Sequence, residues 1–296
     1  MSKVIIIKGK GVLSDSRKIN TNKLRRMYQR GFCRLTGENS PQKALRALFA
    51  NNEKVGIKIN TIAGKKLSTP PPVSLELAQF LHTGDIPKKN LVVWDRTNRE
   101  LKTAGYNLNK HRKGIQIFGT DTQDVGYSER PISHLQIGSL FSNIQKNIIS
   151  SSISLAILKD HGIAGVTAGM KNYFGSIHNP NKYHDNHCDP FVAELFDTSF
   201  IQRKHRLTIL DALVVQYHLG PSFHSSWAEK LESLVFGLDP VATDRVGWNI
   251  IAKLRSQKNL PSLEEEGRVP SYLFTAQKMG LGEGDLNKIE IQEEEI

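Results

Sequence analysis

The feature that most constrains this chain is an alternation of short apolar runs with helix-patterned segments. Runs of strand length fall at Val4–Ile7, Val55–Asn60, Leu91–Trp94 and Ile115–Phe118. Between them, Asn22–Leu35 sets Leu24, Met27, Tyr28 and Phe32 on one helical face. Ser40-Pro41 supplies an N-cap and a first-turn proline for a helix running to Phe49. Pro72 opens a helix through Leu81, and Thr97–Ala104 is a short helix stopped by Gly105. Strands separated by helices cannot pair as hairpins. The chain has to cross over, which predicts a mostly parallel sheet with helices on its faces.

The second half repeats the theme with longer loops. Ile153–Leu158, Arg206–Val215 and Ser233–Asp239 read as strands. Asp239-Pro240 opens a helix in which Val246, Ile250 and Leu254 share a face, and a last helix over Tyr272–Met279 stops at Gly280. No proline- or glycine-rich break divides the chain. The expectation is a single α/β domain over residues 1–296, with Rossmann-like layers and a loop-rich excursion. Residues 1–50 read as an N-terminal extension packed on it, and residues 287–296 as a frayed acidic tail.

Composition narrows the partners. A formal net charge of +11 favours an anionic one, most simply a small carboxylate or phosphate. The basic clusters, such as Lys23–Arg26 and Lys110–Lys113, are short, and no aromatics interleave with them, so nucleic acid is not expected. The two cysteines, Cys33 and Cys188, make no disulfide framework and cannot by themselves hold an iron–sulfur cluster. No apolar run approaches the roughly 20 residues of a membrane span. "SKVIIIKG" at the N-terminus reads as a first strand, not a signal peptide. The sequence as it stands reads as cytoplasmic.

In open α/β sheets, ligands sit beyond the carboxyl ends of the strands. Several polar residues fall there: Lys58 and Asn60 after "VGIKIN", Asp95 after "LVVW", Lys159 with Asp160 and His161 after "ISLAIL", Asp211 after "RLTIL", and Asp239 after "LVFGL". They predict one convergent polar cleft. Downstream, "GIAGVTAGMKNYFG" reads as a helix or tight loop, with Thr167, Lys171 and Asn172 about a turn apart if it is helical. A lysine over a glycine-rich backbone suits an anion. Next, "SIHNPNKYHDNHCDP" gathers His184, His187, Cys188 and Asp189, donors suited to a divalent metal. A substrate-binding loop and a plain turn-rich loop fit the same residues.

These stretches, in this order, resemble the domain-of-unknown-function family numbered 362, over roughly residues 50–290. The family's pattern falls on Lys58, Asn60, Lys159, His161, Thr167, Lys171, Asn172, Gly175, Asp211, Pro240, Ala242 and Asp244. The resemblance implies a shared fold and no particular reaction. Many members carry ferredoxin-like cysteine clusters; this chain has none, which sets it apart from an electron-transfer role. Some relatives carry twin-arginine export signals, so the chain would be exported if such a signal had been removed from it.

Two functions follow. In the first, the protein is an enzyme: Lys58, Lys159 and Lys171 hold a small anion with Asn60, Asp95, Thr167 and Asn172 around it, His161 moves the proton, and Asp211 or Asp244 orients it or holds a cation. In the second, it binds a metal or cofactor through the His184–Asp189 loop without catalysis. Location discriminates: a loop folded over the Lys159–His161 rim makes one site and favours the enzyme.

Overall fold

The structure is a computed structural model and describes residues 1–111 and 113–296. Its strands are β1 (Ser2–Lys8), β2 (Val55–Lys58), β3 (Leu91–Asp95), β4 (Gln116–Gly119), β5 (Ile132–His134), β6 (Ile137–Ser139), β7 (Ser151–His161), β8 (Gly165–Thr167), β9 (His205–Gln216), β10 (Ala228–Gly237) and β11 (Ile289–Glu295). The helices are α1 (Thr21–Thr36), α2 (Pro41–Leu48), α3 (Pro71–His82), α4 (Asn98–Thr103), α5 (Gly169–Asn172), α6 (Phe191–Phe196), α7 (Ser199–Gln202), α8 (Pro240–Gln257) and α9 (Tyr272–Lys278). Helix starts follow their caps: Asn20, Ser40, Thr97 and Asp239 each accept a backbone N–H from the first turn that follows.

Nine strands form one sheet in the order β11-β1-β10-β9-β7-β2-β3-β4, with β8 folded back on β7. Pairing is parallel from β9 through β4 and again between β1 and β11; β10 is antiparallel to both its neighbours. The expected mostly parallel α/β sheet is therefore present. From β2 the chain steps outward to β3 and β4; from β7 it steps the other way to β9. The order reverses between β2 and β7, which is where such sheets open a crevice.

Strand periodicity sends alternate residues into two cores. Ile5, Ile7, Ile57, Leu155, Leu207 and Ile209 meet α1–α3 on one face. Val4, Ile6, Ala156, Leu158 and Leu210 meet α6, α8 and α9 on the other.

Four readings need correction. Residues 1–50 are not an add-on, because β1 lies inside the sheet between β11 and β10. The acidic tail is not frayed: residues 289–295 pair in parallel with β1, and Glu293 and Glu294 reach Lys8, Arg30 and Arg34. A charged edge strand is a stable end to a sheet. "RLTILD" does not end at its aspartate, since β9 continues to Gln216 and Asp211 lies mid-strand. Finally, the strand read as Ile153–Leu158 runs on through Lys159–His161, and Thr167 ends β8, outside the short helix that carries Lys171 and Asn172.

Candidate functional site

β2 and β7 pair only as far as Lys58 and Ser154. β7 then runs on past β2 to His161, paired with β9 and, over its last three residues, with β8. This step in the sheet leaves a cleft of about 580 Å³ above the ends of β2 and β3. Lys58, Asn60, Asp95, Lys159, His161, Thr167, Lys171, Asn172 and His184 all line it.

The floor is an ion pair with no spare valence. Lys58 Nζ donates to Asp95 Oδ1 at 2.6 Å, to the Ile59 carbonyl at 2.7 Å and to Asn172 Oδ1 at 3.3 Å, and is only 1% exposed. Asp95 Oδ2 accepts from the Thr61 amide at 2.7 Å and from its hydroxyl at 2.6 Å. Asn172 Nδ2 donates back to the Lys58 carbonyl at 2.9 Å and to Ser154 Oγ at 3.1 Å. All three ammonium protons of Lys58 are used, so it braces the cleft instead of offering a free cation. Gly175 sits against the pair: a Cβ there would lie 2.7 Å from Lys58 Nζ and 2.9 Å from Asp95 Oδ1.

Lys159 is different. Its Nζ donates to Asn60 Oδ1 at 3.2 Å and to the Leu67 carbonyl at 3.1 Å. Among the described residues no carboxylate lies within ion-pair distance of it. Burial brings its ammonium down to about 7, opposed by the more distant Asp95 carboxylate and helped by Lys171. Lys171 Nζ meets His184 Nε2 at 3.3 Å, the buried Cys188 thiol, and the face of Phe174 at 4.3 Å. Burial lowers its ammonium as well, and burial raises the Cys188 thiol.

His161 and His184 are held as neutral rings. His161 Nδ1 accepts the amides of Ile163 at 3.2 Å and Ala164 at 3.1 Å, so the ring proton sits on Nε2. Burial and the lysines take its titration down to about 2. His184 donates from Nδ1 to the Pro180 carbonyl at 3.0 Å, leaving Nε2 for Lys171. Its ring stacks on His161, centroids 5.8 Å apart. His187 Nδ1 donates to the Ile163 carbonyl at 3.0 Å. The loop thus folds over the Lys159–His161 rim.

The four expected metal donors are not brought together. Both nitrogens of His184 are engaged, His187 faces Ile163, and Cys188 lies under Lys171. Among the described residues no group of three or more His, Cys, Asp or Glu side chains is arranged to hold a metal.

Asp160 and Asp211 also part from the cleft. Asp160 turns to the Gly220 amide and Arg268, at 2.9 and 3.0 Å. Asp211 follows the β9 period onto the α1–α3 face and lines a different cavity. Asp244 accepts the amides of Gly169 and Met170 at 2.7 and 2.8 Å, anchoring α5 from behind. Sequence reasoning passed over Thr61 and Ser154. Ser154 carried a signal, as a polar residue inside the otherwise apolar "ISLAIL".

Fold and cleft define an α/β protein with a ligand-type crevice at the switch point of its sheet. The chain belongs to the family described as domain of unknown function DUF362, with the match running over residues 55–249. No curated protein matches it. A crystal structure of a Thermotoga maritima protein is similar at a TM-score of 0.44 and 12% identity, over 81% of this chain and 59% of that one. The chain thus spans less than two thirds of that neighbour's length. Among the described residues no helix is long and apolar enough to cross a membrane.

Proposed function

We propose that the protein is an enzyme acting on a small carboxylate or phosphate in the switch-point cleft. Lys171 and the Nε2–H of His161 take the anion, with Asn60, Thr167 and Asn172 around it. Lys159, as a free amine, accepts a substrate proton on Nζ and returns it. The observation that carries this reading is that two buried lysines, Lys159 and Lys171, face one cleft without a carboxylate partner among the described residues. A lysine poised near neutrality is an effective general base, because the fraction deprotonated and the basicity of the amine are both substantial there. His161, expected to move the proton, is better suited to donating a hydrogen bond, since its Nδ1 is occupied. The His184 loop closing over the rim favours a single enzymatic site over a separate binding loop.

Two measurements test this. Inorganic phosphate and malonate should raise the unfolding temperature with the logarithm of concentration above their dissociation constants. Lys171→Met should remove that response; an unchanged response places the anion elsewhere. In deuterated water, a panel of small hydroxy, oxo and amino acids should reveal α-hydrogen exchange by NMR. The exchange should rise with pH through about 7 as the Lys159 ammonium loses its proton. Lys159→Met should abolish it while leaving phosphate binding intact. Equal exchange in wild type and Lys159→Met, or none across the panel, would overturn the catalytic reading.

A further inference from the structure

A second cavity, of about 810 Å³, opens on the α1–α3 side of β7 and β9. Its size lies within the range of about 300–1,000 Å³ that accommodates whole small-molecule ligands. Ile157, Leu213 and Pro71 form apolar wall, and Phe223 stands between it and the switch-point cleft, lining both. Arg17, Lys18, Lys65 and Lys66 line it as well. Arg17 and Lys66 approach the Phe223 ring at 5.7 and 5.5 Å. Among the described residues none of the four has an ion-pair partner. Like charges gathered on a concave surface raise its positive potential and repel one another until an anion joins them.

The carboxyl of Asp211, only 2% exposed, also lines this cavity. Among the described residues its one hydrogen bond is local, from the Leu213 amide to Oδ1 at 3.1 Å. Burial raises it to about 7. Toward acid pH it presents an uncharged carboxyl to the cavity, which suits an apolar neighbour better than a carboxylate does.

We propose that this cavity binds an amphiphilic acid, its anionic head held by Arg17, Lys18, Lys65 and Lys66 and its apolar body laid against Ile157, Pro71 and Leu213. The head group answers the unpaired cations; the walls answer the apolar body. Neither acetate nor an uncharged alcohol satisfies both.

Titration calorimetry with decanoate, below its micelle-forming concentration, tests the proposal, with acetate and decanol as controls. Decanoate should bind saturably at one site, at least tenfold more tightly than decanol, and acetate should not compete with it. Lys65→Ala combined with Lys66→Ala changes two exposed side chains; it should weaken decanoate at least tenfold and leave the phosphate response of the cleft unchanged. Lys171→Met should keep decanoate binding. No decanoate binding, equal binding of decanol, or decanoate lost in Lys171→Met but kept in the double variant would each overturn the proposal. None of these results depends on whether the cleft is catalytic.

Discussion

Asp211 shows how one residue's register decides its chemistry. In "RLTILDALVV" it was expected at a strand end because an acidic residue follows an apolar run. Yet Ala212, Leu213, Val214 and Val215 continue that run, and the period of two carries Asp211 to the same side as Leu207, Ile209 and Leu213. The signal was present, in the apolar residues on both sides. Buried there, the carboxyl titrates near 7, with Tyr28 of α1 and Tyr106 as electrostatic neighbours. Its folded value lies above the unfolded one, so its stability contribution is full below about pH 4 and is lost as pH rises through about 7. Asp211→Asn removes that loss. The variant should be more stable than wild type at pH 8, by up to about 2–4 kcal/mol, and no more stable at pH 4. Chemical denaturation at the two pH values checks this; a gain of the same size at both would show that charge is not the cause.

At the scale of elements, the cleft depends on a helix that touches it from one side only. α5 carries Lys171 and Asn172 forward, while its first amides are held from behind by Asp244 of α8. Asp244→Ala leaves two buried N–H groups without partners, which costs about 2–4 kcal/mol. It should also blunt the phosphate response, because Lys171 moves with α5. Asp244→Asn keeps one acceptor oxygen and should recover part of both. Loss of stability with a fully preserved phosphate response would separate α5 from anion binding. The positions of β2, β3 and β7 were legible, since each is an apolar run ended by polar residues. The pairing of Lys58 with Asp95 was not: both sit at strand ends, but only the β2–β3 register brings them within 2.6 Å and uses up the lysine. The β8 return and the β11 strand were illegible for a related reason. β8 is three residues long, and β11 is specified by β1 and by Arg30 and Arg34, more than 250 residues away.

Across the whole molecule, the net charge of +11 is not spread evenly in its consequences. Two buried lysines, Lys159 and Lys171, and four exposed cations, Arg17, Lys18, Lys65 and Lys66, face two neighbouring cavities separated by Phe223. Alternation along the chain foretold the layers; only the strand order locates the crevice, because the reversal between β2 and β7 is a property of the assembled sheet.

The place of β1 in that sheet has a consequence for how the protein is made. Its two partners, β10 and β11, leave the ribosome long after it. Until they emerge, Val4–Ile7 have no strand to pair with, and a bare apolar strand invites misassembly in a growing chain. Nascent chains halted before Ala228 should therefore leave the segment from Ser2 to Thr36 open to protease, and chains halted after Ile296 and released should protect it. Protection in the shorter chains would mean that α1 and β1 find shelter without their final neighbours. If they do not, β1 and α1 fold only with segments synthesised long after them, and an apolar strand waits unpaired in the meantime.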